Sequence, residues 1–418
     1  MIRKYWYTII CLSVFLVACQ TEGSLDESTS MAVDASARIA EPSNPAIQRN
    51  IEEYQRALIA RGVTGGSVAG IFTSEDTYAY SVVNSGLSGD TPISPNTIFP
   101  IWSMSKPITT VAMMILHEKG LYEVSDPVSK YIPYFSDLNC KDEDGSIYRC
   151  RNELQIVHLL SHRSGYSYYD PGNGPSFLDP YDNLEQFVKD VAAHPVEFEP
   201  GTDYRYGINQ AILGRIVEVL SGKEFFEFLS ENIFEPLGMV NTKFELSPDD
   251  RKHFQILFKR PDSSEIASDE GASFFSTADD ELSYTPGTKA QYGGEGLVST
   301  FEDYRRFCEM LLGRGTYRGT QILDERSIEL MTTVMTEGEL TEDAQDGFDY
   351  AYSLFVLSEP ALDGTGSSRG IYGWSGYHNT HFWIDYEKNI YGLFMTRAVP
   401  FSWEIQKQFR AAVYRGLN

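Results

Sequence analysis

Positive charge is in short supply in this chain. Its 418 residues carry 34 Lys and Arg against 59 Asp and Glu, a formal charge of −25. Such a body repels phosphates, which argues against a nucleic-acid partner and leaves a solvated acidic surface as the plain reading. Cysteine is sparse too, at five, and two of those, Cys11 and Cys19, fall in the first nineteen residues. No internal repeat is visible, which excludes a stack of repeats. Gly293-Gly294-Glu295-Gly296 is glycine-rich but lacks the strand and helix of a dinucleotide fingerprint and the Lys-Ser/Thr of a P-loop, so no nucleotide cofactor is expected. His158 and His162 stand four apart, as zinc ligands can, but no Glu follows His158, and no metal is expected. What remains is ordinary: apolar and charged fractions of 42% and 22% fit a globular protein with core enough for two or three domains.

The N-terminus reads as a targeting segment. Arg3 and Lys4 precede an apolar run from Tyr5 to Val17, too short to span a bilayer comfortably. The run ends in Leu16-Val17-Ala18-Cys19, which resembles the lipobox of a bacterial lipoprotein signal. That resemblance implies cleavage before Cys19, lipidation of its thiol and anchorage of the body at the cell envelope, facing the periplasm or the outside. A plain secretory signal ending in Cys is the alternative, and either one exports the body. In an oxidising compartment Cys140 and Cys150, flanking the polar stretch "KDEDGSIYR", can close a local disulfide or remain two thiols. Cys308 lies in an apolar helical stretch and reads as a small core residue.

Residues 1–18 are thus expected as signal and 19–44 as lipidated cysteine and flexible tether. Asn44-Pro45 opens a helix, with Ile47, Ile51, Tyr54 and Leu58 at helical spacing and Gly62 ending it. "GSVAGIFT" and "TYAYSVV" read as a strand pair. Helices are expected from near Ser103 to Gly120 and at 185–193, 209–221, 224–232, 302–313 and 402–415. Strands are expected at 350–357, 379–385 and 390–396. Helix and strands at both ends around a helical middle give an α/β plus all-α architecture of two lobes. An antiparallel sheet flanked by helices is built from 45–135 and 285–418, with a mostly helical lobe, 136–284, inserted.

Chemistry gathers on Ser103-Met104-Ser105-Lys106. Residues three apart share a helix face. A serine at a helix start sits among unpaired amides, where negative charge is favoured. Its alcohol still needs a base. "FPIWSMSKPIT" resembles the nucleophile segment of the serine β-lactamase-like hydrolases, the group of class C β-lactamases, DD-peptidases and family VIII carboxylesterases. "LQIVHLLSHRSGYS", the block opening "FEPGTDYRYGINQ", "GGEGLVSTFEDYRRF" and "YGWSGYHNTHFWIDYEKNIYGLFMTR" resemble its later blocks in order, over roughly residues 45–415. The resemblance implies a β-lactamase/transpeptidase-like fold and a catalytic trio of Ser103, Lys106 and Tyr206. It also implies an oxyanion hole from the backbone N–H groups of Ser103 and Tyr377, and substrate contacts at Trp374, Ser375 and Gly376. A phenol must become about 4 kcal/mol more acidic to act as a base at neutral pH. A neighbouring ammonium supplies part of that, so Lys106 and Tyr206 share one proton.

Two departures from the family pattern point to the substrate. Tyr206-Gly207-Ile208 lacks the usual Tyr-x-Asn, and Trp374 stands where a Lys or His is usual. The missing groups would have met the amide and carboxylate of a β-lactam or peptide. A neutral ester suits such a site better, and the variants resemble those of the family VIII carboxylesterases and related acyltransferases. Asn209 is the residue that could replace the lost amide, which keeps a class C-like β-lactamase or DD-peptidase as the alternative. A second alternative is a lipoprotein that binds without chemistry. No Ser-Asp-Asn element is present, which argues against class A. The aromatic loop "YSYYDPGNGPSF" reads equally as an acyl pocket or as surface packing.

Overall fold

The computed structural model describes residues 39–169, 173–260, 275–276, 289–336 and 345–417. Cys19 and the tether before residue 39 lie outside them. The Asn44 side chain accepts from the amides of Ala46 and Ile47 and so caps the first helix, α1 (Pro45–Ala60). The chain then enters β1 (Ser67–Phe72) and β2 (Thr77–Val83). The nucleophile segment forms a short 3₁₀ turn, Trp102–Met104, running straight into α2 (Ser105–Glu118). Gly120, at φ +66°, supplies the left-handed stop expected there.

The middle of the chain is helical, with α3 (Ile156–Leu160), α4 (Leu184–Ala192) and α5 (Asn209–Ser221). The helix expected at 224–232 is present and runs further: Phe225–Leu229 is α-helical, a π turn follows over Ser230–Phe234, and Glu235–Leu237 completes it. After α6 (Phe301–Leu312) come β3 (Phe348–Tyr350), β4 (Phe355–Leu357), β5 (Tyr372–Ser375), β6 (His381–Asp385) and β7 (Ile390–Thr396), then α7 (Trp403–Tyr414). The run 350–357 is therefore not one strand: the chain reverses between Tyr350 and Phe355, with Ser353 at φ +54°, and β3 pairs antiparallel with β4.

One seven-stranded sheet collects these strands in the order β3-β4-β5-β6-β7-β1-β2, antiparallel throughout. Within it β1 from the start of the chain pairs with β7 near the end, with Ser67 opposite Thr396 and Phe72 opposite Tyr391. The sheet is thus discontinuous in sequence. Continuous apolar packing runs from α1 and α7 on one side of the sheet to α2, α5 and α6. Cys140 and Cys150 are joined in a disulfide across a small hairpin, Asn139–Lys141 with Ile147–Arg149. Cys308 is fully buried in α6, and burial pushes its thiol up, away from reactivity.

Candidate active site

The start of α2 is gripped from several directions. Ile98–Pro100 pairs with Val298–Thr300, and the Ile101 amide donates to the Leu297 carbonyl at 3.1 Å. The Leu297 amide donates to Ser105 Oγ at 3.2 Å, and Tyr304 Oη donates to the Met104 carbonyl at 2.9 Å. Between these ties Trp102 is held at φ +47°, a costly conformation for a bulky residue. Its indole N–H donates to His378 Nδ1 at 2.9 Å, and its ring lies 5.2 Å from that of Tyr377. The strained residue turns the chain into the 3₁₀ turn that carries Ser103 directly ahead of α2.

Helical spacing then sets Lys106 beneath Ser103. Lys106 is fully buried, with Nζ 3.1 Å from Ser103 Oγ. It lies 2.7 Å from the Gly294 carbonyl and 2.8 Å from Tyr168 Oη. Tyr206 arrives from the turn before α5, its hydroxyl 2.7 Å from Ser103 Oγ and its ring 4.7 Å from Lys106 Nζ. The alcohol, amine and phenol expected from the sequence therefore meet at one point.

Two further groups were not foreseen. Tyr168, from the aromatic loop, touches Lys106 and stands 3.3 Å from Glu295 Oε2. Burial pushes the Tyr168 phenol well above its ordinary range, so it stays protonated. Glu295, the one side chain of the Gly-Gly-Glu-Gly stretch, places Oε2 3.8 Å from Lys106 Nζ and is 4% exposed. The signal available was a charged residue among glycines in a matched block, a pattern read above only against nucleotide loops.

The remaining expected residues are placed differently. Gly376 is where β5 meets the nucleophile segment: a Cβ there would overlap the Ile101 carbonyl and Thr380 Oγ1. That close approach brings Tyr377 beside Trp102. Trp374 is buried behind Tyr206, ring centroids 5.9 Å apart, and packs on Tyr350 and Phe355. Ser375 faces the other side of the sheet, as strand alternation requires. Its hydroxyl bonds Gln406 Oε1 at 2.7 Å and His381 Nδ1 at 2.9 Å in the core. Neither Trp374 nor Ser375 is among the residues that line the cleft: Trp374 backs Tyr206, and Ser375 bonds into the core behind the sheet. Asn209 is fully buried: its Oδ1 accepts from Ser164 Oγ, and its Nδ2 meets His162 Nδ1 at 2.9 Å. It cannot stand in for the lost amide without leaving both partners. His162 lies against Tyr206, ring centroids 4.8 Å apart, and burial, aided by the Lys106 charge, keeps it neutral. His158 accepts from the Gln155 amide at 3.2 Å.

Ser103 opens into a cleft of about 900 Å³. Its walls include Trp102, Tyr168, Tyr169, Phe177 and Leu178, with Lys259 also lining it. Tyr168, Tyr169, Ser176 and Phe177 of the aromatic loop thus line the cleft. A serine held between an amine and a phenol, at a strained helix start facing an aromatic cleft, defines a serine hydrolase. The chain belongs to the Beta-lactamase family, whose model matches residues 47–415.

Relatives within that family differ in chemistry. Esterase EstB of Burkholderia gladioli is 24% identical over 310 residues, covering 70% of this chain and 76% of its own. Monacolin J acid methylbutanoyltransferase of Aspergillus terreus is 26% identical over 274 residues, 62% of each chain. Among solved structures, EstCE1, a hydrolase with promiscuous acyltransferase activity, superposes with a TM-score of 0.70 at 24% identity, over 88% of this chain and 98% of its own.

Proposed function

We propose that the protein hydrolyses carboxylic esters through an acyl-enzyme on Ser103. The observation that carries this reading is the pair of contacts on Ser103 Oγ, 2.7 Å from the Tyr206 hydroxyl and 3.1 Å from Lys106 Nζ, at the mouth of an aromatic cleft. Ser103 attacks the ester carbonyl, and Lys106 and Tyr206 take its proton and deliver one to the leaving alkoxide. The N–H groups of Ser103 and Tyr377 hold the oxyanion. Water then releases the acyl group, and an alcohol in its place makes the reaction an acyl transfer, a chemistry named for two of the relatives. Purified protein and its Ser103→Ala variant, assayed on short p-nitrophenyl esters and a chromogenic cephalosporin, test this. Ester turnover at least about 10³-fold lower in the variant is expected. Equal turnover by the variant would overturn the assignment.

A second reading rests on Lys259. A cation lining the cleft can meet the carboxylate of a β-lactam or peptide even though Trp374 occupies the usual place. Cephalosporin turnover as efficient as ester turnover, weakened by Lys259→Ala, would favour it.

For location, we propose a lipid on Cys19 that anchors the body at a bacterial envelope membrane, facing the periplasm or the outside. The lipobox-like Leu16-Val17-Ala18-Cys19 supports it, as does the Cys140–Cys150 disulfide, which suits an oxidising compartment. Incorporation of a labelled fatty acid that survives Cys19→Ala would count against it.

A further inference from the structure

Glu295 is an expensive residue to place where it stands. Its carboxyl is buried, and its Oε1 has no hydrogen-bond partner among the described residues. Burial raises its pKa above the ordinary carboxylate range, while Lys106 and the Tyr168 hydroxyl draw it back. A buried carboxylate in such a setting is poor design for stability and suits a site that needs its charge.

The hydrogen bonds around Lys106 assign that need. Nζ has three oxygen neighbours: Ser103 Oγ, Tyr168 Oη and the Gly294 carbonyl, at 3.1, 2.8 and 2.7 Å. An ammonium has three protons, one for each; a neutral amine has two and a lone pair. The Gly294 carbonyl can only accept. If Tyr168 turned its proton toward a lysine lone pair, Glu295 would lose its only hydrogen bond from that hydroxyl, the 3.3 Å contact at Oε2. The arrangement that gives each Lys106 proton an acceptor runs one way: Lys106 donates to Tyr168, and Tyr168 donates to Glu295 Oε2. Ser103 Oγ accepts from Lys106, and the 2.7 Å contact with the Tyr206 hydroxyl is the path open to its proton.

We propose that Glu295 is the counter-ion of Lys106. Acting directly and through Tyr168, it holds the lysine as an ammonium and so leaves Tyr206 as the group that takes the Ser103 proton. Glu295 is a positioning residue: it acts through Lys106 rather than on the substrate. This rests on the reading of Ser103 as nucleophile.

The other titratable groups facing the site are Tyr168 from the aromatic loop, Tyr206 before α5, His162 behind Tyr206 and Lys259 in the cleft wall. Among these Glu295 supplies the carboxylate, so removing its charge has a defined sign. Losing that negative charge beside the amine and the phenol brings the alkaline end of the activity range closer to neutrality.

The test is kcat/KM for a p-nitrophenyl ester as a function of pH in wild type, Glu295→Gln, Glu295→Asp and Ser103→Ala. Glu295→Gln should move the alkaline limb down by about one pH unit, an about tenfold loss on that limb. Glu295→Asp, which keeps the charge, should hold the limb near its wild-type place even with a lower maximum. Tyr168→Phe cuts the relay and should move the limb in the same direction as Gln, which keeps the proposal testable if the Gln variant does not fold. A Gln profile that scales down at every pH with its limbs in place would mean a purely structural role and overturn the proposal. Ser103→Ala separates the two readings. If it is inactive while the Gln limbs stay put, only the counter-ion fails; if it is active, the nucleophile fails with it.

Discussion

At the scale of single residues, the site was legible where chemistry constrains spacing. Ser103 and Lys106 share a helix face because they are three apart, and a short polar tetrapeptide carries that information. Tyr206 was legible only through the block around it, since nothing local marks one tyrosine among 26. Tyr168 and Glu295 escaped because their roles depend on where two loops end up, which no periodicity records. Gly207, at the unspecified middle position of the family's Tyr-x-Asn pattern, has a physical reason to be glycine. A Cβ at Gly207 would overlap the Tyr166 carbonyl and the Cα of Ser167, so the turn carrying Tyr206 lies directly against the backbone that carries Tyr168. Gly207→Ala must push these segments apart and spoil the 2.7 Å contact between Tyr206 and Ser103. Because a displacement of about 1 Å at a reacting group can cost about 10²-fold, kcat for the ester should fall by about that factor. A steady-state assay beside a thermal melt checks it: a variant with a lowered Tm and unchanged kcat would mean the turn adjusts without moving the phenol.

At the scale of elements, the strands and helices with plain periodicity came through, and those with local conflicts did not. α5 spans 209–221 and β7 spans 390–396, as read from pattern. The apolar stretch 350–357 looked like one strand because both halves are buried, and burial hides the reversal that Ser353 makes. Trp374 and Ser375 illustrate the same limit at finer grain. A motif names residues, but strand alternation decides which of two neighbours faces the site, and here Ser375 faces α7. The Cys140–Cys150 hairpin gives an element-scale prediction. Neither cysteine is among the residues lining the cleft, and the closed loop is short, with a sequence separation of 10. Replacing both with Ser should lower stability by roughly 2–3 kcal/mol. The corresponding drop in Tm is about 2–4 °C, with kcat/KM for the ester near the wild-type value. Calorimetry under non-reducing conditions, paired with the ester assay, would show whether stability and activity separate in this way.

At the scale of the whole molecule, the acidic surface attracts attention, but the buried histidines govern stability at mildly acid pH. Burial lowers the pKa of His162, His378 and His381 well below 6.5, helped by Lys106, Arg397 and Arg410 respectively. It lowers His158 to about 4, helped by Arg163. In each case the unfolded chain binds the proton more readily than the folded one. Stability therefore rises with pH through this window, and it is lost as pH falls below about 6.5. For His158 the loss stops near pH 4, where the folded form also protonates. Asp303 opposes the trend. Burial raises it to about 6, so the folded state takes up that proton first and gains stability as pH falls from about 6 toward the unfolded value. Glu218 and Glu295, also raised by burial, act in the same direction as Asp303. Four histidines against three carboxyls, with the histidine window opening first, predict a urea midpoint that declines between pH 6.5 and 5 although the protein's negative charge is then being neutralised. His158→Gln should make that decline shallower by about 1 kcal/mol per pH unit, after allowance for its partial exposure, and should leave the midpoint at pH 8 nearly unchanged. A decline of unaltered slope in the variant would mean that His158 titrates alike in both states, and that the remaining buried groups alone set the acid limit of the fold.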